Sequence, residues 1–288
     1  MSTTTLPTLS VYFDYLSKNR TKFSDISPNL SAAAESVNQS FQTVLSQHFK
    51  PPLDTSWGVV SALLAYGSYS SWLDSYFHAI SGQVSSSWVN LRRAIEFICY
   101  CAKIYESDER SEYWRRQKDD MEARRKFSGT CSIPTAYKRE KYRYLRPLML
   151  SYDKANYYGA HGGFESLLGH YKDSSRNKIN FTYPINNDGL ILLIYSHSIF
   201  AGLNLLVAFD KIMSKYIHKN ETYESIMYSV NESVKEAKRE YYRMSNSNII
   251  PDKVLESIGK NNTDMINILF NEYIEREEGR KNSDSNCV

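Results

Sequence analysis

The chain has 288 residues, 42% hydrophobic and 23% charged, with a formal net charge of +3. That length can bury a real core in one large or two modest domains, and the balance is ordinary for a globular protein. Only 12 Gly and 8 Pro punctuate it, which disfavours many short strands with tight turns and favours long helices. The 23 Tyr suit a helical core whose polar tips reach its rim.

In chain order, Leu9, Tyr12, Phe13 and Leu16 predict a short amphipathic helix over 7–17. Ser27 followed by Pro28 is a helix start, and Leu30, Ala34, Val37, Phe41, Val44 and Leu45 carry that helix on at three- and four-residue steps. Pro51 and Pro52 end it, and Asp54, Thr55 or Ser56 caps a third helix reaching about Ile80. A fourth, about 85–105, has a seam of Trp88, Leu91, Ile95, Ile98, Ala102 and Tyr105. With Ala94, Phe97, Cys101 and Ile104 it is apolar on most sides, hence packed on most sides. Residues 109–126 read as one charged helix, and 136–155 as another that Pro147 kinks or divides. Tyr158 to Gly163 is an irregular turn, 164–171 a short helix, and 179–185 the one strand-like run. An apolar helix runs from Gly189 to about Tyr216, amphipathic helices cover 221–244 and 251–277, and a polar disordered tail follows from Gly279.

The expected fold is therefore all-α: a multi-helix bundle with long central apolar helices and at most a minor hairpin or strand. Residues 1–278 are expected to form one helical domain, with 28–105 and 187–277 as core and 109–155 as a charged excursion. The stretch 189–209 contains no Asp, Glu, Lys or Arg and is long enough to span a bilayer. Ser196, His197, Ser198 and Asn204 are costly in hydrocarbon, so it is read as a buried core helix, without membrane association.

Cys99 and Cys101 sit two apart on one helix, about 200° apart around its axis, and neither bridge nor clamp one metal. These two, Cys131 and Cys287 are read as reduced thiols of a cytoplasmic protein, since 1–9 lacks the features of a signal peptide. None of the six His pairs with another at ligand spacing, and no phosphate-loop, dinucleotide, nucleophile-elbow or zinc-protease motif occurs. No metal or cofactor is expected.

Residues 114–146 carry the most distinctive pattern. Eleven cations face four carboxylates there, an excess of seven positive charges in a chain whose total is +3. Arg115, Arg116, Arg124, Arg125, Lys126, Lys138, Arg139, Lys141 and Arg143 are the candidate contacts to an RNA or DNA backbone, with Lys118 and Arg146 beside them. Trp114, Tyr137, Tyr142 and Tyr144 offer stacking faces. Against this, charge-rich helices commonly neutralise themselves by pairs such as Asp120 with Arg124. The second candidate site is Arg93, Glu96 and His161. Either Arg92 or Arg93 meets Glu96 on one helix face, and His161 lies among Gly159, Gly162 and Gly163. The pair is read either as an ion pair that orients the helix or as an anion cleft in which His161 transfers a proton.

The run Ser87 to Ile98 (SWVNLRRAIEFI), followed by Tyr158 to Leu167 (YGAHGGFESL), resembles uncharacterised prokaryotic helical proteins related to the HEPN superfamily. The resemblance covers about 85–212. It implies a helical, often dimeric module of bacterial defence or toxin–antitoxin systems with RNA as its usual ligand. Ribonuclease members place an Arg four to six residues before a His on one helix, and this chain has no such pair. The resemblance thus carries over Arg93, Glu96 and His161 as remnants of a site. The leading expectation is a nucleic-acid-binding or partner-binding component of such a system. The alternatives are a divergent nuclease or hydrolase using those three residues, and an assembly protein that forms homo-oligomers or docks a protein partner.

Overall fold

The computed structural model describes residues 9–131, 140–156, 171–175, 178–181 and 188–244. Among these are nine α-helices: α1 (Leu9–Ile26), α2 (Pro28–Thr43), α3 (Ser56–Ile80), α4 (Val84–Ile104), α5 (Asp108–Arg116), α6 (Met121–Cys131), α7 (Arg146–Ala155), α8 (Asp188–Ile212) and α9 (Glu221–Met244). One antiparallel hairpin joins β1 (Tyr171–Ser175) to β2 (Lys178–Phe181). The protein is an all-α bundle with a minor hairpin.

Small residues set how its central helices meet. Ser61, Ala65, Ser68, Ser75 and Ala79 fall on one face of α3, and all are buried. They let α4 approach closely and antiparallel, and two of the α3 positions are answered across the gap. Ser68 Oγ donates to the Ala94 carbonyl (2.9 Å), and Ser87 Oγ donates to the Ser75 carbonyl (2.7 Å). The turn between the helices needs Gly82, whose φ of 80° is open to glycine at little cost. At the other end Thr55 caps α3, its Oγ1 accepting from the Gly58 N–H at 3.1 Å.

The apolar helix α8 crosses this pair. Trp72 is fully buried and donates from Nε1 to the Ser198 carbonyl (2.7 Å), while Ser75 and Ser198 share a hydroxyl hydrogen bond (3.0 Å). Gly202 lies under the indole, and a Cβ there would stand 2.4 Å from Trp72 Nε1. By length and composition Ile191–Ile212 could cross a membrane, yet its most apolar stretch is 67% buried within the protein. Its apolarity serves packing on several sides, against α2, α3, α4, α7 and α9.

The outer helices are tied to this centre by polar contacts at their ends. Glu240 of α9 accepts from the Leu30 N–H (3.0 Å), capping α2 from 210 residues away. Asn19 and Arg20 of α1 hold the C-terminal end of α3 through the Ser81 carbonyl and hydroxyl.

Several boundaries depart from expectation. The first helix continues to Ile26, because Phe23 is buried and extends its apolar stripe past Leu16. The charged region is two helices broken at 117–120, where Asp120 Oδ1 accepts from the N–H groups of Glu122 and Ala123 and starts α6. Pro147 falls in the first turn of α7, where its missing N–H costs nothing. Within the expected excursion, Leu145, Leu148, Met149 and Ala155 are buried in the core. Tyr171, expected to close a short helix, pairs with Phe181 in the hairpin. The expected helix 251–277 lies outside the described residues.

Candidate functional site

The basic helices are attached by few apolar groups. Among the described side chains of α6, Ala123 and Phe127 are the buried ones, one turn apart, and Phe127 meets Tyr100 of α4 edge-on (5.2 Å). Successive residues rotate by about 100°, so Arg124, Arg125 and Lys126 fan out over the remaining exposed half of the helix. Lys126 turns toward α5, its ammonium 5.4 Å from the centre of the Tyr113 ring.

Half of the cations between 114 and 131 are paired within one turn. Arg115 pairs with Glu112 (2.8 Å), Arg116 with Asp120, and Lys126 with Glu122 (3.0 Å). All three cations are largely exposed, where solvent screens such pairs and they contribute little. Lys118, Arg124 and Arg125 are exposed and have no carboxylate partner among the described residues. The anticipated pair of Asp120 with Arg124 does not form. Asp120 faces the start of α6, where the Ala123 N–H and then the Arg116 charge hold its carboxyl below the usual range. Of the remaining candidates, Arg143 is exposed, Lys141 sits on the 3-10 turn Glu140–Leu145, and Lys138 and Arg139 lie outside the described residues.

The second candidate site resolves differently. Arg92, not Arg93, pairs with Glu96 (2.8 Å), and its guanidinium lies 5.9 Å from the centre of the Tyr152 ring on α7. Tyr152 donates its hydroxyl to the same Glu96 Oε1 (3.3 Å). Burial and the nearby Glu96 charge push the phenols of Tyr152 and Tyr100 up, Tyr100 to about 12, so both remain protonated. Arg93 is turned to solvent, and His161 lies outside the described residues.

Beside this group, α8 brings His197 into the corner between α4 and α7. His197 Nδ1 lies 2.8 Å from the Leu193 carbonyl, which can only accept, so that nitrogen carries the proton. Its Nε2 therefore accepts from the Lys154 ammonium at 2.9 Å. Burial, reinforced by the Lys154 charge, pushes the imidazole down to about 4, and burial lowers Lys154 as well. Trp88 meets the imidazole edge-on at 5.8 Å. Trp88, Arg92 and Glu96 thus form one i, i+4, i+8 line on α4, met by Tyr152 and Lys154 of α7 and His197 of α8.

In this arrangement Glu96 is held by two donors and both His197 nitrogens are engaged, so neither is free to take a proton from a substrate. The cluster joins three helices. Sequence spacing exposes the Arg92–Glu96 pair, but nothing in it could show Lys154 meeting His197 across 43 residues. Elsewhere, burial pushes the Cys99 and Cys101 thiols up to about 12, which leaves them inert. Among the described residues no group of three or more His, Cys, Asp or Glu is placed to hold a metal. Comparison with protein-family models, curated proteins and solved structures finds no match.

Proposed function

We propose that this protein binds a nucleic-acid backbone, RNA in the first instance, through the cations of α5, α6 and their link, as a helical component of a defence or toxin–antitoxin type system. One observation carries the reading. Lys118, Arg124 and Arg125 stand without carboxylate partners among the described residues, on a segment that contributes little to the core. Arg115, Arg116 and Lys126 are paired through exposed contacts that a phosphate can replace at small cost. A fan of cations along a helix suits a charged backbone, and sequence-independent contact is the expected mode.

The experiment is a binding titration of single-stranded and duplex RNA and of DNA across a range of salt. Log affinity should fall steeply with log salt, and the triple variant Arg124→Glu, Arg125→Glu, Lys126→Glu should lose binding while its helical content stays unchanged. Absent or salt-insensitive binding refutes the reading.

A further inference from the structure

Leu193, His197, Phe200 and Asn204 follow one line along α8, three or four residues apart. They are half-buried, and every other residue between 194 and 206 is buried. Two helices border this line. α7 packs on α8 from the side of α4, α9 packs on it from the side of α2, and α7 and α9 make no extended contact with each other. The line is therefore the floor of a groove whose walls are α7 and α9.

Each wall sends one lysine over the floor. The Lys154 ammonium of α7 is hydrogen-bonded to His197 (2.9 Å), and the Lys238 ammonium of α9 lies 5.4 Å from the centre of the Phe200 ring, which Tyr241 meets edge-on. His197 and Phe200 are neighbours on one turn of α8, so the two cations reach adjoining points of the floor. Neither lysine has a carboxylate partner among the described residues. Glu96 is held by Arg92 and Tyr152, and Glu232 of α9 by Lys235 (2.6 Å). Burial lowers both lysines, and the Lys235 charge lowers Lys238 further. Two ammoniums in one partly dry groove repel each other and lack the counter-charge that a buried cation requires.

The chemistry of the donors narrows the ligand. A planar guanidinium fork matches a carboxylate, but the Arg92 fork is committed to Glu96. Lysines are point charges with rotatable donors, and two of them are balanced by a doubly negative group with three terminal oxygens. We infer that the groove between α7 and α9 binds a phosphate dianion between Lys154 and Lys238, as free phosphate or as the terminal phosphate of a small molecule. A nucleic-acid backbone carries one charge per phosphate and would leave one ammonium unmatched, so this groove is separate from the cations of α5 and α6.

Calorimetric titration of the full-length protein near pH 7.5, with inorganic phosphate and with phenyl phosphate, each against chloride of equal ionic strength, tests this. One ligand should bind per chain. Lys154→Met and Lys238→Met should each weaken binding by about tenfold or more, with unchanged circular dichroism. Whichever probe binds more tightly identifies the ligand as the free ion or as a phosphorylated small molecule. Dimethyl phosphate, a singly charged diester, should bind about tenfold or more weakly than either. In chloride alone Lys238→Met should melt no lower than the wild type, because it removes a cation without a counter-charge. Absence of binding beyond chloride overturns the inference, and so does binding that survives both lysine variants. A diester that binds as tightly as the dianions overturns it too, as does a lowered melting temperature of Lys238→Met in chloride, which would mean that its ammonium is already paired.

Discussion

The Lys154 ammonium donates to Nε2 of His197 at 2.9 Å, and the imidazole passes no charge on because its Nδ1 proton is committed to the Leu193 carbonyl. A cation and a neutral imidazole therefore share a corner in which a second positive charge would meet only repulsion and burial. The consequence is a pH dependence with a definite sign.

In the unfolded chain His197 titrates near 6.5, and in the folded chain at about 4. Between those values the unfolded state binds more protons, so stability is full above pH 6.5 and declines as pH falls toward 4. The full loss is about 3 kcal/mol. The variant His197→Gln can donate to Leu193 and accept from Lys154 without titrating. Denaturant unfolding at pH 7 and pH 4 should show the wild type losing more stability than this variant by about that amount. Equal losses would mean that His197 is not held neutral.

Lys154→Met keeps the aliphatic packing and removes the neighbouring charge. The His197 titration, followed by its ring proton shifts, should move up from about 4, because the repulsion is gone while the burial remains. A downward shift contradicts the geometry.

Gly202→Ala tests the packing of α8 on α3. The new methyl would meet Trp72 Nε1 at 2.4 Å, and Trp72 is fully buried with its N–H bound to Ser198, so the ring cannot swing away cheaply. A decrease of about 1–3 kcal/mol in unfolding free energy is expected. An unchanged midpoint in urea would show that the contact is looser than described.

Asp120→Asn separates charge from structure in the basic region. Asparagine still accepts from the Ala123 and Glu122 N–H groups as a helix cap but no longer neutralises Arg116. Affinity for a nucleic-acid backbone should rise at low salt with little change in melting temperature. A fall in affinity would place Asp120 among the groups that favour binding.

The bundle was legible because its helices are long and strongly patterned. The three- and four-residue steps of α2, α3, α4 and α9 bring their limits close to those observed, and α8 is as buried as its apolarity on all sides requires. What escaped reading depends on single polar contacts. The break between α5 and α6 is a local event made by one Asp120 carboxylate, and charge composition alone makes 109–126 look continuous. The choice of Arg92 over Arg93 as partner of Glu96 rests on Tyr152 from α7, which the spacing within α4 cannot reveal. Likewise, the hydroxyls of Ser68, Ser75 and Ser198 read as polar interruptions until their partners on other helices are seen.

Nucleic-acid affinity measured against salt, for the wild type and for Arg124→Glu with Arg125→Glu, decides whether these cations contact a nucleic-acid backbone. For the wild type, log affinity should fall steeply and linearly with log salt. In the variant both the affinity at low salt and the slope should drop, the slope by about one for each phosphate no longer neutralised. Identical curves for the two proteins would contradict it.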